Sequence, residues 1–104
     1  MSKKQKKNNV KLIDKQEQKV EPPKKFKVVF YNDDFTPMQF VVDVLEQIFH
    51  HPTPAAQAIM LDVHNKGRGV AGVYSKEIAE TKAHMVNQTA VNWGHPLKAE
   101  FEPE

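Results

Sequence analysis

The stretch FKVVFYNDDFTPMQFVVDVLEQIF, from Phe26 to Phe49, decides the fold, because its apolar period changes once, at a turn crowded with acidic groups. Phe26, Val28 and Phe30 alternate with Lys27, Val29 and Tyr31 over strand-favouring residues, and the turn formers Asn32, Asp33 and Asp34 stop the run. Thr36 then predicts an N-cap, Pro37 suits a first helical position, and Gln39 is spaced to complete a capping box. Phe40, Val41, Val44, Leu45, Ile48 and Phe49 recur at helical spacing, leaving Asp43, Glu46 and Gln47 to face water. A strand, an acidic turn and a helix follow in that order.

Further along, His50-His51-Pro52 breaks the pattern and Thr53-Pro54 repeats the cap-plus-proline signal. Ala56, Ile59, Met60 and Val63 line one face of a second helix, His64 lies one turn beyond Met60, and Asn65-Lys66-Gly67 is a C-terminal stop. Gly69 to Tyr74 reads as a short strand. Ser75 predicts the cap of a third helix running to about Trp93 and ended by Gly94, and Leu97, Ala99 and Phe101 alternate in a last strand. The order βααβαβ implies an α+β fold, with a three-stranded, mainly antiparallel sheet packed against three helices.

Composition sets the outer bounds. A chain of 104 residues with 39% hydrophobic content makes one small domain. It has no cysteine, which excludes disulfides and thiolate metal sites. No apolar run approaches the roughly 20 residues of a membrane span, and the lysine-rich start lacks the apolar stretch of a signal peptide, so a cytoplasmic protein without membrane contact is expected. Residues 1–27 hold ten of the fifteen Lys and Arg against three acids, a net +7, whereas the remainder nets −5. We expect a flexible basic extension over residues 1–24 and a folded core domain over 25–104. A lysine run is usually just solvated; a nucleic-acid contact or a docking strand are its alternatives.

Three groups of residues bear on chemistry. The first is the Asn32–Asp34 turn with His64. Carboxylates before a helix can simply complement its dipole, but with Thr36 as the cap the turn holds more acceptors than the helix needs. A lone histidine after an apolar helix face is more often a satisfied surface or core residue. Together, an amide oxygen, a carboxylate and a neutral imidazole suit the three donors of a primary ammonium. The second is the pair Met38 and Met60, with Val41, Val63 and Leu97 as possible neighbours. Such methionines ordinarily fill core gaps, although they also suit a pocket that admits several apolar groups. The third is a metal site, for which His50-His51 lack ligand spacing and no HExxH pattern exists, so no metal or cofactor is expected. No Ser–His or Lys partner accompanies the aspartates, which disfavours an enzyme.

The segments YNDDFTPMQFVVDVL, AIMLDVHNKGRGVAGVY and EIAETKAHMVN together resemble ClpS, the bacterial adaptor that delivers N-degron substrates to the Clp AAA+ protease. The resemblance spans about Lys25 to Glu102. It implies that Asn32, Asp33, Asp34 and His64 hold a substrate's α-amino group. It also implies that Thr36, Met38, Val41, Met60, Val63 and Leu97 form a pocket for a bulky first side chain (Leu, Phe, Tyr or Trp), with Met38 excluding β-branched residues. Glu77 and Lys82, which in isolation look like a solvated helix face, correspond to contacts with the N-terminal domain of the ClpA unfoldase. The basic extension becomes a delivery segment. A monomer without nucleic-acid binding is expected; the rival reading, a nucleic-acid or ribosome-associated module using the lysine tail, conflicts with the acidic folded part.

Overall fold

The computed structural model describes residues 22–104; residues 1–21, which hold most of the expected extension, lie outside the described residues. The elements are β1 (Phe26–Tyr31), α1 (Met38–Gln47), α2 (Thr53–Lys66), β2 (Arg68–Tyr74), α3 (Lys76–Asn92) and β3 (Lys98–Pro103). The expected βααβαβ order and α+β class hold. The sheet is wholly antiparallel, in the order β2-β1-β3, so the strand read first from the sequence is the central one.

That central place explains why strict alternation understates β1. Val28 and Phe30 enter the core against the helices, while Val29 on the other face is also fully covered, lying between Val70 and Glu100 on the neighbouring strands. The outer face also exposes Val70 and Val73, and is otherwise polar. Arg68 donates to Glu102 at 2.9 Å and lies 5.4 Å above the Tyr31 ring, and Lys27 stands 3.6 Å from Glu102. The Glu102 carboxyl is held low chiefly by the hydrogen bond from Arg68. Such solvent-exposed pairs contribute little to stability.

Two details set how α2 meets the sheet. At Gly69 a Cβ would lie 2.8 Å from Val63 Cγ2 and 3.2 Å from the Ile59 carbonyl, so only glycine lets α2 close on β2. The β1–β2 register slips between Val28 and Val29, with Ala71 as the extra residue of the bulge. His51 Nε2 meets the Ala71 carbonyl at 2.6 Å, which places the ring hydrogen on Nε2 and fastens the α1–α2 loop to the bulge.

Helix ends follow the sequence signals at one terminus more than the other. Gly67 adopts φ 87° and closes α2 with its N–H on Val63. Gly94, at φ 76°, follows α3, and His95 N–H reaches back to the Ala90 carbonyl, as in a Schellman ending. The starts differ. Pro37 and Pro52, both extended, flank α1 and α2, and no side chain caps either helix. Ser75 does occupy the cap position of α3, but its hydroxyl makes no capping bond. Thr53 is instead the first residue of α2 and donates to Glu46, which is therefore only half exposed.

Candidate functional site

The turn after β1 is organised by Asp33. Its Oδ1 accepts the Phe35 N–H at 2.8 Å and the Thr36 N–H at 2.7 Å, and its Oδ2 accepts the Thr36 hydroxyl at 2.8 Å. This corrects the expected cap: Thr36 and Gln39 form no capping box, Met38 is the first residue of α1, and Gln39 donates forward to Asp43. The acidic groups are thus not all surplus to the local backbone. An Asx-type turn forms instead: Asp33 bonds two successive N–H groups at once and also engages the Thr36 hydroxyl that a cap would need. Of the roughly four acceptor positions on a carboxylate, three are filled, so Oδ2 retains one for a ligand.

Partial burial alone would raise the Asp33 carboxyl. The Thr36 and Phe35 N–H groups, the Thr36 hydroxyl and the charge of His95 outweigh it and hold the group below its ordinary value. A lowered carboxyl stabilises the turn above the unfolded value of about 3.9 and loses that contribution as pH falls through the folded value. Asp33→Ala is therefore expected to cost about 1–2 kcal/mol at neutral pH, low in the range for bonds to a charged group because the turn is half exposed. The difference should vanish in strong acid. Urea unfolding of both chains at pH 7 and at pH 2.5 checks this, and equal stability at pH 7 would refute it.

Asn32 links the turn to α2. Its N–H donates to the Gly67 carbonyl at 3.0 Å, which sets Asn32 at the C-terminal end of the helix whose last turn carries His64. Asn32, Asp34 and His64 are exposed, and Asp33 is half-buried. The apolar set is graded in depth. Val41, Val63 and Leu97 belong to one buried cluster, Met60 packs against it half-buried, Thr36 is half-buried, and Met38 is 45% exposed. Three separate elements, α1, α2 and the approach to β3, therefore supply the buried members of the set, with the methionines nearer the surface.

Two surface hollows, of about 510 and 490 Å³, lie elsewhere, one between α3 and β3 and the other between α1 and the end of α3. Neither is lined by any residue of the amide, carboxylate or methionine set. Among the described residues, no three His, Asp or Glu side chains gather as a metal site, and no helix is long and apolar enough to cross a membrane.

Glu77 is exposed in the first turn of α3. Lys82 is not the solvated residue its sequence context suggests. Its Nζ donates to the Ile48 carbonyl at 2.7 Å and stands 5.5 Å from the Phe49 and 5.4 Å from the Tyr74 ring centroids. A lysine with a long apolar stem can reach the C-terminal end of α1 across the packed face, where free carbonyls and two aromatic faces stabilise its charge. His95 was also illegible in sequence: its ring meets Phe40 edge-on at 4.6 Å, and its charge acts on Asp33.

The family described as ATP-dependent Clp protease adaptor protein ClpS matches residues 21–100. The chain belongs to the ClpS family. This ClpS chain is 52% identical over 91 residues to the ATP-dependent Clp protease adapter protein ClpS of Leptothrix cholodnii, covering 88% of this chain and 79% of that protein. It is 56% identical over 84 residues to the ClpS of Hydrogenovibrio crunogenus, covering 81% of each. Among solved structures it resembles Agrobacterium tumefaciens ClpS2 bound to L-phenylalaninamide, with TM-score 0.77 and 37% identity over 80% of this chain and all of that one. As a ClpS it is an adaptor of the Clp protease and not an enzyme.

Proposed function

We propose that this ClpS chain binds proteins with a free N-terminal Leu, Phe, Tyr or Trp and delivers them to a ClpA-type unfoldase of the cytoplasmic Clp protease, acting as a monomer. Asn32, the free position on Asp33, Asp34 and His64 receive the α-amino group. Thr36, Met38, Val41, Met60, Val63 and Leu97 receive the first side chain. The observation that carries this reading is the backbone bond from Asn32 to Gly67, because it joins the turn that carries Asn32, Asp33 and Asp34 to the end of α2, whose last turn carries Val63 of the buried cluster and His64. The phenylalaninamide of the A. tumefaciens relative supports it, since that molecule pairs a free α-amino group with a bulky apolar side chain.

Selection follows from the two halves. Removing the ligand's charge by acetylation leaves desolvated acceptors unpaired, at about 1–3 kcal/mol each. Burial of a Leu or aromatic side chain contributes about 25 cal/mol per Å², which small residues do not match. A peptide panel varying only the first residue and its acetylation, read by fluorescence anisotropy, tests the proposal. Free Leu, Phe, Tyr and Trp peptides should bind, and equal affinity for an acetylated Phe peptide would overturn the reading.

Docking to the unfoldase uses the α3 surface around Glu77, with Lys82 contributing from its fixed place over Phe49 and Tyr74. Residues 1–24 act in handoff. Deleting residues 1–20 is expected to leave peptide affinity unchanged while at least halving the degradation rate of an N-degron reporter by the unfoldase and its peptidase, a loss of at least about 0.4 kcal/mol on the rate. Loss of peptide binding in the deletion would instead assign the segment to the pocket.

A further inference from the structure

We infer that Asn87, on α3, is a positioning residue for Leu97 and thereby for the deep end of the first-residue pocket, an inference that rests on the function proposed above. Asn87 acts on β3 as a substitute strand would. Its Nδ2 donates to the Ala99 carbonyl at 3.0 Å, and its Oδ1 accepts the Ala99 N–H at 2.8 Å.

The need for this pair follows from the sheet. β3 is an edge strand, and its register with β1 runs from Phe26–Pro103 to Tyr31–Lys98 without a slip. Glu104 N–H donates to the Lys25 carbonyl, so by the two-residue period Glu102, Glu100 and Lys98 turn their backbone groups toward β1. Ala99 must then turn its N–H and carbonyl outward, although the residue itself is only 3% exposed. Without Asn87 both groups would lack a protein partner in a half-covered place.

Leu97 sits two residues before that anchor. On its other side, the His95 N–H is bonded to the Ala90 carbonyl at 2.8 Å, and the His95 ring rests on Phe40. The segment carrying Leu97 is thus fastened to α3 at both ends, once by a helix ending and once by Asn87. Leu97 is the sole member of the apolar set contributed by this segment; Lys98, next to it, is held to Tyr31 of β1, and the bonds to Asn87 set how closely this end of β3 sits against α3. Releasing one end lets Leu97 move relative to Val41 and Val63.

The test uses the full chain with Asn87→Ala and Asn87→Asp. Asp keeps an acceptor for the Ala99 N–H but sets a carboxylate against the Ala99 carbonyl, so it should behave no better than Ala. Both variants should remain folded by circular dichroism. The sequence has four leucines, Leu12, Leu45, Leu61 and Leu97, so methyl-labelled spectra are sparse. Leu97 methyl signals should shift or broaden while those of Leu45 and Leu61 stay in place; an unmoved Leu97 overturns the inference whatever the peptide results. Affinity for Phe-started and Trp-started peptides should fall about tenfold, the equivalent of one hydrogen bond's net contribution, with the preference for a free over an acetylated amino group retained. An equal loss for every first residue, including Gly, would assign Asn87 a general structural role and refute a positioning one. If the parent chain itself binds no such peptide, the functional proposal fails and the methyl spectra alone decide the role of Asn87.

Discussion

Asn32→Ala and His64→Ala are each expected to lower the affinity for a Leu-started or Phe-started peptide by about ten- to a hundredfold, the equivalent of one bond to a charged group at about 1.5–3 kcal/mol. Each variant stays folded, because both side chains are exposed and neither belongs to the buried cluster. The Asn32 N–H that joins the turn to α2 is a backbone group and survives the substitution. The two losses should also be less than additive, since both groups serve one ammonium and an ammonium that has lost one acceptor is held less firmly by the others. Anisotropy titrations of both single variants and the double variant measure this. Unchanged affinity in either single variant removes that residue from the site.

Met38→Ala changes selectivity more than affinity. Met38 is the exposed member of the apolar set, at the first residue of α1, and on the proposed reading its unbranched side chain lies beside the Cβ of the bound first residue. Val and Ile carry two heavy atoms on that Cβ and would press against it, a crowding of about 1–3 kcal/mol. Removing the side chain beyond its Cβ relieves the contact, so the discrimination of Leu over Ile should narrow by about tenfold. Stability should change little, because this methionine is not core. Discrimination as strong as the parent's would show that Met38 is not the gate.

Much of this was legible along the chain because it depends on local periodicity. The apolar spacing of α1, the αL glycine at Gly67 and the alternation through Leu97, Ala99 and Phe101 each identify an element from neighbours a few residues apart. The cap of α1 was not legible. Thr36-Pro37 carries the signal of a helix start, but Asp33 accepts two hydrogen bonds from Thr36 and a third from the Phe35 N–H within the same turn, and the carboxylate wins over the cap. Lys82 was misread for a related reason: its spacing on α3 is that of a solvated residue, yet its partners at Ile48, Phe49 and Tyr74 come from other elements.

The sequence by itself determined the order βααβαβ, the acidic turn between a strand and a helix, and the residue types able to receive an ammonium and an apolar side chain. Periodicity, turn chemistry and charge are properties of near neighbours, and they survive without knowledge of contacts. Only the tertiary structure decided that β1 is central, that Asp33 spends three of its acceptors on its own turn, and that Asn32 meets the end of α2. It alone brought Val41, Val63 and Leu97 into one cluster and paired Asn87 with the edge of β3. The Asp33 bonds are local, but whether they or a helix cap form is a competition the spacing does not settle; the other outcomes depend on which apolar and polar groups find partners across elements distant in sequence, and that is settled only when the layers pack.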